Sequence, residues 1–377
     1  MPRRLFGLMA FAGVVFLCAA SAQAQIKLGV SGPLEGKNAG SMLEVLKGAE
    51  LYIGQVNANG GVNGQKVKLI ARDDNFEVPK TVATVTRLIE QDNVVGLMLV
   101  RGTPHNQAIL PLIEKHQVPL IGPSTGAMTF HQPVNRYVFN VRTAYQLEAE
   151  KLVALLKTTG LHRIAVLSVA DGFGRDVLKG LDSGLAKQNL KPAIELEFDR
   201  DAATKDNTDF MKPVLDKLVK SDPQVIIVVG AGLAVKNAIV ALRAAGSEAR
   251  IATVSNNAST AFIKLLDKHA HGVIVSQVFP DEKSLTQPFV REAQMAAFKN
   301  KVTLTQGMLE GFAAAKIAVR GLKGAGTPVT RAGLQKALDN LGTFDLGDLA
   351  INYSPNDHTG LDMTDLSIIT RDKTFLR

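Results

Sequence analysis

Short apolar runs of four to seven residues recur along the chain, at 26–30, 67–71, 94–100, 118–121, 164–169, 194–198, 225–229, 251–254 and 273–278. Each is too short for a helix and long enough for a buried strand. Between them, residues 43–56, 81–93, 146–159, 174–188, 210–221, 234–245 and 308–323 carry apolar side chains at helical spacing. Strand and helix alternate for most of the length, which predicts an α/β fold whose parallel sheets are covered by helices. The pattern changes near the end. There 344–351 and 364–370 read as strands joined by the polar turn Ser354-Pro355-Asn356-Asp357-His358-Thr359-Gly360, so a terminal hairpin is expected.

The first residues follow another plan. Pro2-Arg3-Arg4 is a basic start, 5–17 an apolar core and Ala22-Gln23-Ala24 a cleavage site before Gln25, the layout of a secretory signal peptide at 1–24. Cleavage would also remove Cys18, the single cysteine, leaving no disulfide, thiol nucleophile or thiolate metal site. Taking 24 of the 377 residues away leaves 353, more than one core comfortably serves, and predicts two domains. No later stretch approaches the roughly 20 apolar residues of a bilayer span. The formal net charge of +8 falls to +6 without Arg3 and Arg4. Its lysines and arginines are scattered singly, with no basic run and no aromatic platform, so a solvated surface is expected and nucleic acid is not.

In open parallel sheets ligands lie beyond the carboxyl ends of the strands. In this chain those ends are small and polar: Ser31-Gly32-Pro33, Asp73-Asp74-Asn75, Arg101-Gly102-Thr103, Gly122-Pro123-Ser124-Thr125-Gly126, Asp171-Gly172-Phe173-Gly174, Gly230-Ala231-Gly232 and Ser255-Asn256-Asn257. Glycine lets a backbone amide approach a ligand, and Ser, Thr and Asn offer neutral hydrogen bonds. Taken singly such residues are ordinary turns; recurring on both halves, they predict a cleft. Thr103-Pro104 is the sharpest case, with Thr103 expected as N-cap and Pro104 as first helical residue of a helix whose positive end suits a carboxylate. Arg101 is a second candidate clamp for a carboxylate, or an external salt-bridge partner.

The segment from Ser31-Gly32-Pro33 to Asn57-Ala58-Asn59-Gly60-Gly61-Val62-Asn63-Gly64 resembles the start of the leucine/isoleucine/valine-binding family, the type I periplasmic binding proteins of ABC transporters. Gly102-Thr103-Pro104, Leu110-Pro111-Leu112-Ile113-Glu114-Lys115, Val118-Pro119, Asp171-Gly172-Phe173-Gly174 and the terminal Phe-Asp-Leu-Gly with Ser-Pro-Asn-Asp-His extend the resemblance over essentially the whole mature chain. It implies two Rossmann-like lobes with parallel central sheets and a hinge of three crossovers. Placing the crossings near 142–144, 279–281 and 342–345 gives one lobe of 25–143 with 280–343 and another of 144–279 with 344–377. It also implies a periplasmic monomer that binds an amino acid of the branched-chain type, or a related small carboxylate or amide, and hands it to the membrane and ATPase subunits of an ABC importer. Carried over by position, the ligand loops are Gly102, Thr103, Ser124, Thr125 and Gly126 on the first lobe, and Phe173, Gly232, Ser255 and Asn256 on the second. One position departs from the family: Ser255 stands where amino-acid-binding members commonly carry an acid for the α-ammonium. Either Asp171, Asp73 or Asp74 takes over, or the ligand lacks the ammonium.

Rival chemistries are visible in fragments. Gly122-Pro123-Ser124-Thr125-Gly126 matches a nucleophile elbow, with Asp345 or Asp348 and then His358 downstream in hydrolase order. An elbow leads into a helix, however, and the following residues contain Pro133 and the strand-like Tyr137-Val138-Phe139. Gly32-Pro33-Leu34-Glu35-Gly36-Lys37-Asn38 is one residue short of a phosphate loop and ends in Asn where Ser or Thr is needed. Gly230-Ala231-Gly232 has Val235 where a dinucleotide motif needs a third small residue. His269 and His271 lack a third metal ligand nearby. No catalytic residue, cofactor or metal is therefore expected, and the alternative to transport is a ligand-sensing role using the same closure of two lobes.

Overall fold

The structure, a computed structural model, describes residues 25–203 and 205–377. The signal-peptide reading of 1–24 lies outside them. Among the described residues no helix is long and apolar enough to cross a membrane.

Strands β1 (Ile26–Gly32), β2 (Val67–Asp73), β3 (Gly96–Met98), β4 (Leu120–Ile121) and β5 (Val138–Phe139) form one parallel sheet in the order β2-β1-β3-β4-β5. Strands β6 (Ile164–Val169), β7 (Ile194–Phe198), β8 (Val225–Val229), β9 (Arg250–Thr253) and β10 (Ile274–Gln277) repeat that order as β7-β6-β8-β9-β10. Strands β6 and β8 are buried along their whole length, which is why their sequences run apolar rather than alternating. A two-stranded sheet of β11 (Gly342–Asp345) and β12 (Ala350–Tyr353) follows, and then β13 (Asp365–Ile369) and β14 (Phe375–Leu376) extend the second sheet antiparallel beyond β10. In each main sheet the order reverses beside its first strand, between β1 and β3 and between β6 and β8. A crevice forms at such a switch point, beyond the carboxyl ends of the strands.

The helix Ala39–Ala58 packs along the helix Gln306–Gly324, which is buried along most of its length. Tyr145–Thr158 packs against Gly172–Lys187 on the second lobe. The Gly172–Lys187 helix is capped by Asp171, whose carboxylate accepts from the amides of Phe173 and Gly174.

Three expectations are corrected. The helix expected at 210–221 is broken into a 3₁₀ turn, Asp209–Met211, and a short helix, Leu215–Lys220, because Pro213 between them has no amide to donate. The expected terminal hairpin pairs differently. Asp345 Oδ1 accepts from the amides of Gly347 and Leu349, turning the chain early, so β12 pairs with β11 while β13 joins β10. The third crossing therefore lies beyond 344. Ile351 and Tyr353 are buried in the core that holds Phe139 and Phe289, Tyr353 donates to the Asn140 carbonyl, and His358 stacks on Phe139 at 4.1 Å. Only past Leu361, whose amide donates to the Val141 carbonyl, does the chain enter the second lobe. There Thr143 and Met363 exchange hydrogen bonds of 2.6 and 3.0 Å, tying the first crossing to the third.

Candidate functional site

Loops that follow the strands of both sheets line one cavity of about 730 Å3, counting the part open to solvent. The first sheet contributes Pro33 after β1, Phe76 after β2, Arg101, Gly102 and Thr103 after β3, and Ser124 after β4. The second contributes Phe173 after β6, Arg200 after β7, Gly232 after β8, and Asn256 with Asn257 after β9.

The loop after β3 is shaped by backbone first. Leu99 turns with φ 56°, Arg101 forms a parallel bridge with Ser124, and Gly102 has φ 94° directly before the helix Thr103–His116. A Cβ at Gly102 would lie 2.6 Å from His105 Nδ1, so both the dihedral and the space call for glycine. Gly102 thereby takes the cap position expected of Thr103. Thr103 becomes the first helical residue, and its hydroxyl shares a 2.7 Å hydrogen bond with Thr125. No side chain caps this helix, whose first turn opens at the cavity.

Arg101 reaches across the cleft. Its guanidinium donates to Ser124 Oγ at 3.2 Å on one lobe and to the Asn256 carbonyl at 2.9 Å on the other. Among the described residues no carboxylate lies within ion-pair distance of it, unlike the other two cations of the wall. Burial draws its pKa down from the ordinary guanidinium value, and the more distant Glu310 is the largest influence drawing it back up. Lys37 pairs with Asp206, and Arg200 pairs with Asp171.

Thr125, Gly126 and Ser255 belong to the layer behind the wall. Thr125 is buried and holds Thr103. Gly126 accepts from the Tyr145 amide at 2.6 Å. Ser255 is consumed by a buried network in which its amide and hydroxyl donate to Glu148 at 2.6 and 2.7 Å, and Arg142 donates to its hydroxyl. Arg142 also lies 3.7 Å from Glu148 and 3.6 Å from Glu310. Burial opposes its charge, but Tyr145, Glu310 and Glu148 together hold its pKa above the usual guanidinium value.

The aspartates considered as substitutes for an acid at Ser255 are all engaged elsewhere. Asp73 accepts from the amides of Leu34 and Glu35, and Asp74 from Ser31, Thr81 and the Phe76 amide. Asp171 caps its helix and pairs with Arg200. Among the described residues no carboxylate lines the cavity.

Sequence reasoning overlooked Phe76, Tyr145 and Arg200. Arg200 follows β7 just as the other cavity loops follow their strands, so the same strand-end rule applied there would have found it. The Phe76 ring stacks on His105 with centroids 4.4 Å apart, and the Arg200 guanidinium lies 5.5 Å from its centre. Tyr145 follows directly on the first crossing, packs against Phe173 at 5.0 Å and has the Arg142 guanidinium 4.9 Å from its ring centre.

The hydrolase fragments are not brought together. Ser124 Oγ meets Arg101, and the residues after it form a 3₁₀ turn, Met128–Phe130, rather than a supporting α-helix. His358 turns Nδ1 to the carbonyls of Asn135 and Val138 at 3.1 and 2.9 Å and Nε2 to Asp339 at 3.1 Å. Among the described residues no group of three potential metal ligands occurs.

A family model described as periplasmic binding protein matches residues 25–368. Leu/Ile/Val-binding protein homolog 3 of Brucella melitensis biotype 1 is 23% identical over 347 residues, covering 90% of this chain and 89% of that protein. An amino acid binding protein of Pseudomonas aeruginosa is 27% identical over 201 residues, 52% of this chain; the chain spans 53% of that relative, about half its length. The crystal structure of a substrate-binding periplasmic protein from Ralstonia solanacearum superposes with a TM-score of 0.81 at 28% identity, over 93% of this chain and 99% of that one. With two sheets of one topology, loops of both around a single cavity and a family match over nearly all described residues, the chain belongs to the periplasmic binding proteins of type I, in the leucine/isoleucine/valine-binding family.

Proposed function

We propose that this protein captures a small organic solute in the cavity between its lobes, an amino acid or a related carboxylate or amide, and presents the closed complex to the membrane and ATPase subunits of an ABC importer. The observation that carries the reading is Arg101, which bonds one partner on each lobe from the wall of the cavity. A solute carboxylate beside Arg101 and the uncapped start of the Thr103–His116 helix would touch groups that come together only when the lobes close. Closure itself is then the signal that the importer reads. Family membership supports a binding role over a catalytic one.

A thermal-shift screen of the purified mature protein against amino acids, small carboxylates, amides and sugars tests this. A ligand at 100 times its dissociation constant adds about 2.7 kcal/mol of stability, a shift of several degrees. Silence across the whole panel, together with ester hydrolysis that disappears in Ser124→Ala, would replace capture with catalysis.

A further inference from the structure

We infer that the solute is a small carboxylate with an aromatic body and no ammonium group. The inference rests on the capture reading above and narrows it to a chemical class.

Among the described residues the wall carries three cations and no carboxylate: Lys37, Arg101 and Arg200. Lys37 shares Asp206 with Lys236 and Arg200 pairs with Asp171, whereas Arg101 is bonded only to a hydroxyl and a carbonyl. A guanidinium fork presented to a cleft with neutral acceptors only is matched by one bidentate carboxylate. Glu148 and Glu310 face Arg142 behind the wall, and Glu44 is taken up by the amides of Thr260 and Ala261 and the Thr305 hydroxyl. Glu148 is fully buried and already accepts from Ser255 and Ser276. An ammonium entering this cavity would lose its water and meet no anion, a costly exchange.

Phe76, Tyr145, Phe173, Phe262 and Leu265 line the same cavity. Two of the rings are held by neighbours rather than free to fold away, Phe76 against His105 and Phe173 against Tyr145. Fixed rings favour a flat, polarisable partner by offset or edge contact. One unpaired guanidinium and several rings therefore select an aryl-bearing monocarboxylate.

Isothermal titration of the mature protein with matched pairs tests this: 3-phenylpropanoate against L-phenylalanine, and 4-methylpentanoate against L-leucine. Within each pair only the ammonium differs; between pairs only the ring does. The expected order is 3-phenylpropanoate first, with L-phenylalanine weaker by about tenfold or more, the cost of an unmatched charge. Arg101→Met should weaken 3-phenylpropanoate by roughly 30-fold and Arg101→Lys by less, while the melting temperature without ligand stays within a few degrees of wild type. Tighter binding of either amino acid than of its deaminated partner would overturn the inference and leave capture standing. So would preference for 4-methylpentanoate over 3-phenylpropanoate, or a thermal shift confined to sugars. No response to any compound in titration or thermal screen overturns the capture reading as well.

Discussion

His131 is buried with neither ring nitrogen hydrogen-bonded. Burial, helped by the Arg142 charge and opposed by Asp357, lowers its pKa from 6.5 to about 4. The unfolded chain takes up a proton near pH 6.5 that the folded chain refuses until about pH 4, so the fold loses stability as pH drops through that window and keeps it above. The loss approaches roughly 3 kcal/mol at the acid end. Denaturant melts from pH 7 to pH 4 should show this slope, and His131→Phe should flatten it whatever it does to the midpoint. A slope unchanged in the variant would mean that other groups carry the acid sensitivity. At this scale the sequence was a good guide to which loops reach the cavity, because strand-end loops announce themselves by composition. It was a poor guide to which side chain in a loop points inward. Thr103, Thr125 and Ser255 were all expected to meet the ligand. Thr103 lines the cavity with its hydroxyl turned to Thr125, and Ser255 turns back to Glu148, residues distant in sequence whose proximity no local pattern encodes.

Among the elements, the seam between Ala39–Ala58 and Gln306–Gly324 is the least forgiving. A Cβ at Gly311 would stand 1.7 Å from the Val45 carbonyl oxygen, and one at Gly48 would stand 1.8 Å from the Met308 carbonyl oxygen. Both obstacles are backbone, so neither can rotate aside, and the two helices would have to separate along their length. Gly311→Ala and Gly48→Ala are each expected to cost about 2 to 4 kcal/mol, in the range of overpacked cores, despite alanine's better helix propensity. Thermal melts read this directly; a gain in stability would mean that the seam yields. The strands β6 and β8 were legible to the residue because continuous apolar runs between turns leave little else to form, and β7 because Ile194, Leu196 and Phe198 alternate with Glu195 and Glu197. The pairing of β11 with β12 was not. It depends on how Asp345 folds over Gly347 and Leu349, a turn that competes with the more conspicuous polar stretch at 354–360.

For the molecule as a whole, the capture reading makes closure depend on polar contacts between the lobes. Glu44, on the first lobe, accepts from the Thr260 and Ala261 amides at 3.3 and 2.6 Å, where the helix Thr260–Leu266 begins on the second. Ser41 and Ser259 share a 2.7 Å hydrogen bond beside it. A carboxylate at the positive end of a helix favours the closed arrangement without touching the solute. Glu44→Ala should therefore weaken any ligand by roughly five- to tenfold by depopulating the closed form, with a larger radius of gyration in solution scattering at sub-saturating ligand. Equal affinity in the variant would assign Glu44 to packing alone. Length suggested two domains and the family resemblance implied two lobes, but the third crossing followed from neither. Turn residues occur at 342–345 and again at 354–364, and only the burial of Ile351 and Tyr353 beside Phe139 decides between them.

Neither sheet is closed by a continuous stretch of chain. The first lobe needs the helix Gln306–Gly324 to cover Ala39–Ala58, and the second is finished only when β13 and β14 dock on β10. The core of the first lobe thus waits for residues as far along as Leu361 and that of the second for Ile369 and Phe375, and contacts that span so much sequence form slowly. For a member of a periplasmic family that delay is useful. A chain of such a family that is passed through a membrane unfolded would be helped by a topology that by itself postpones folding until the far side.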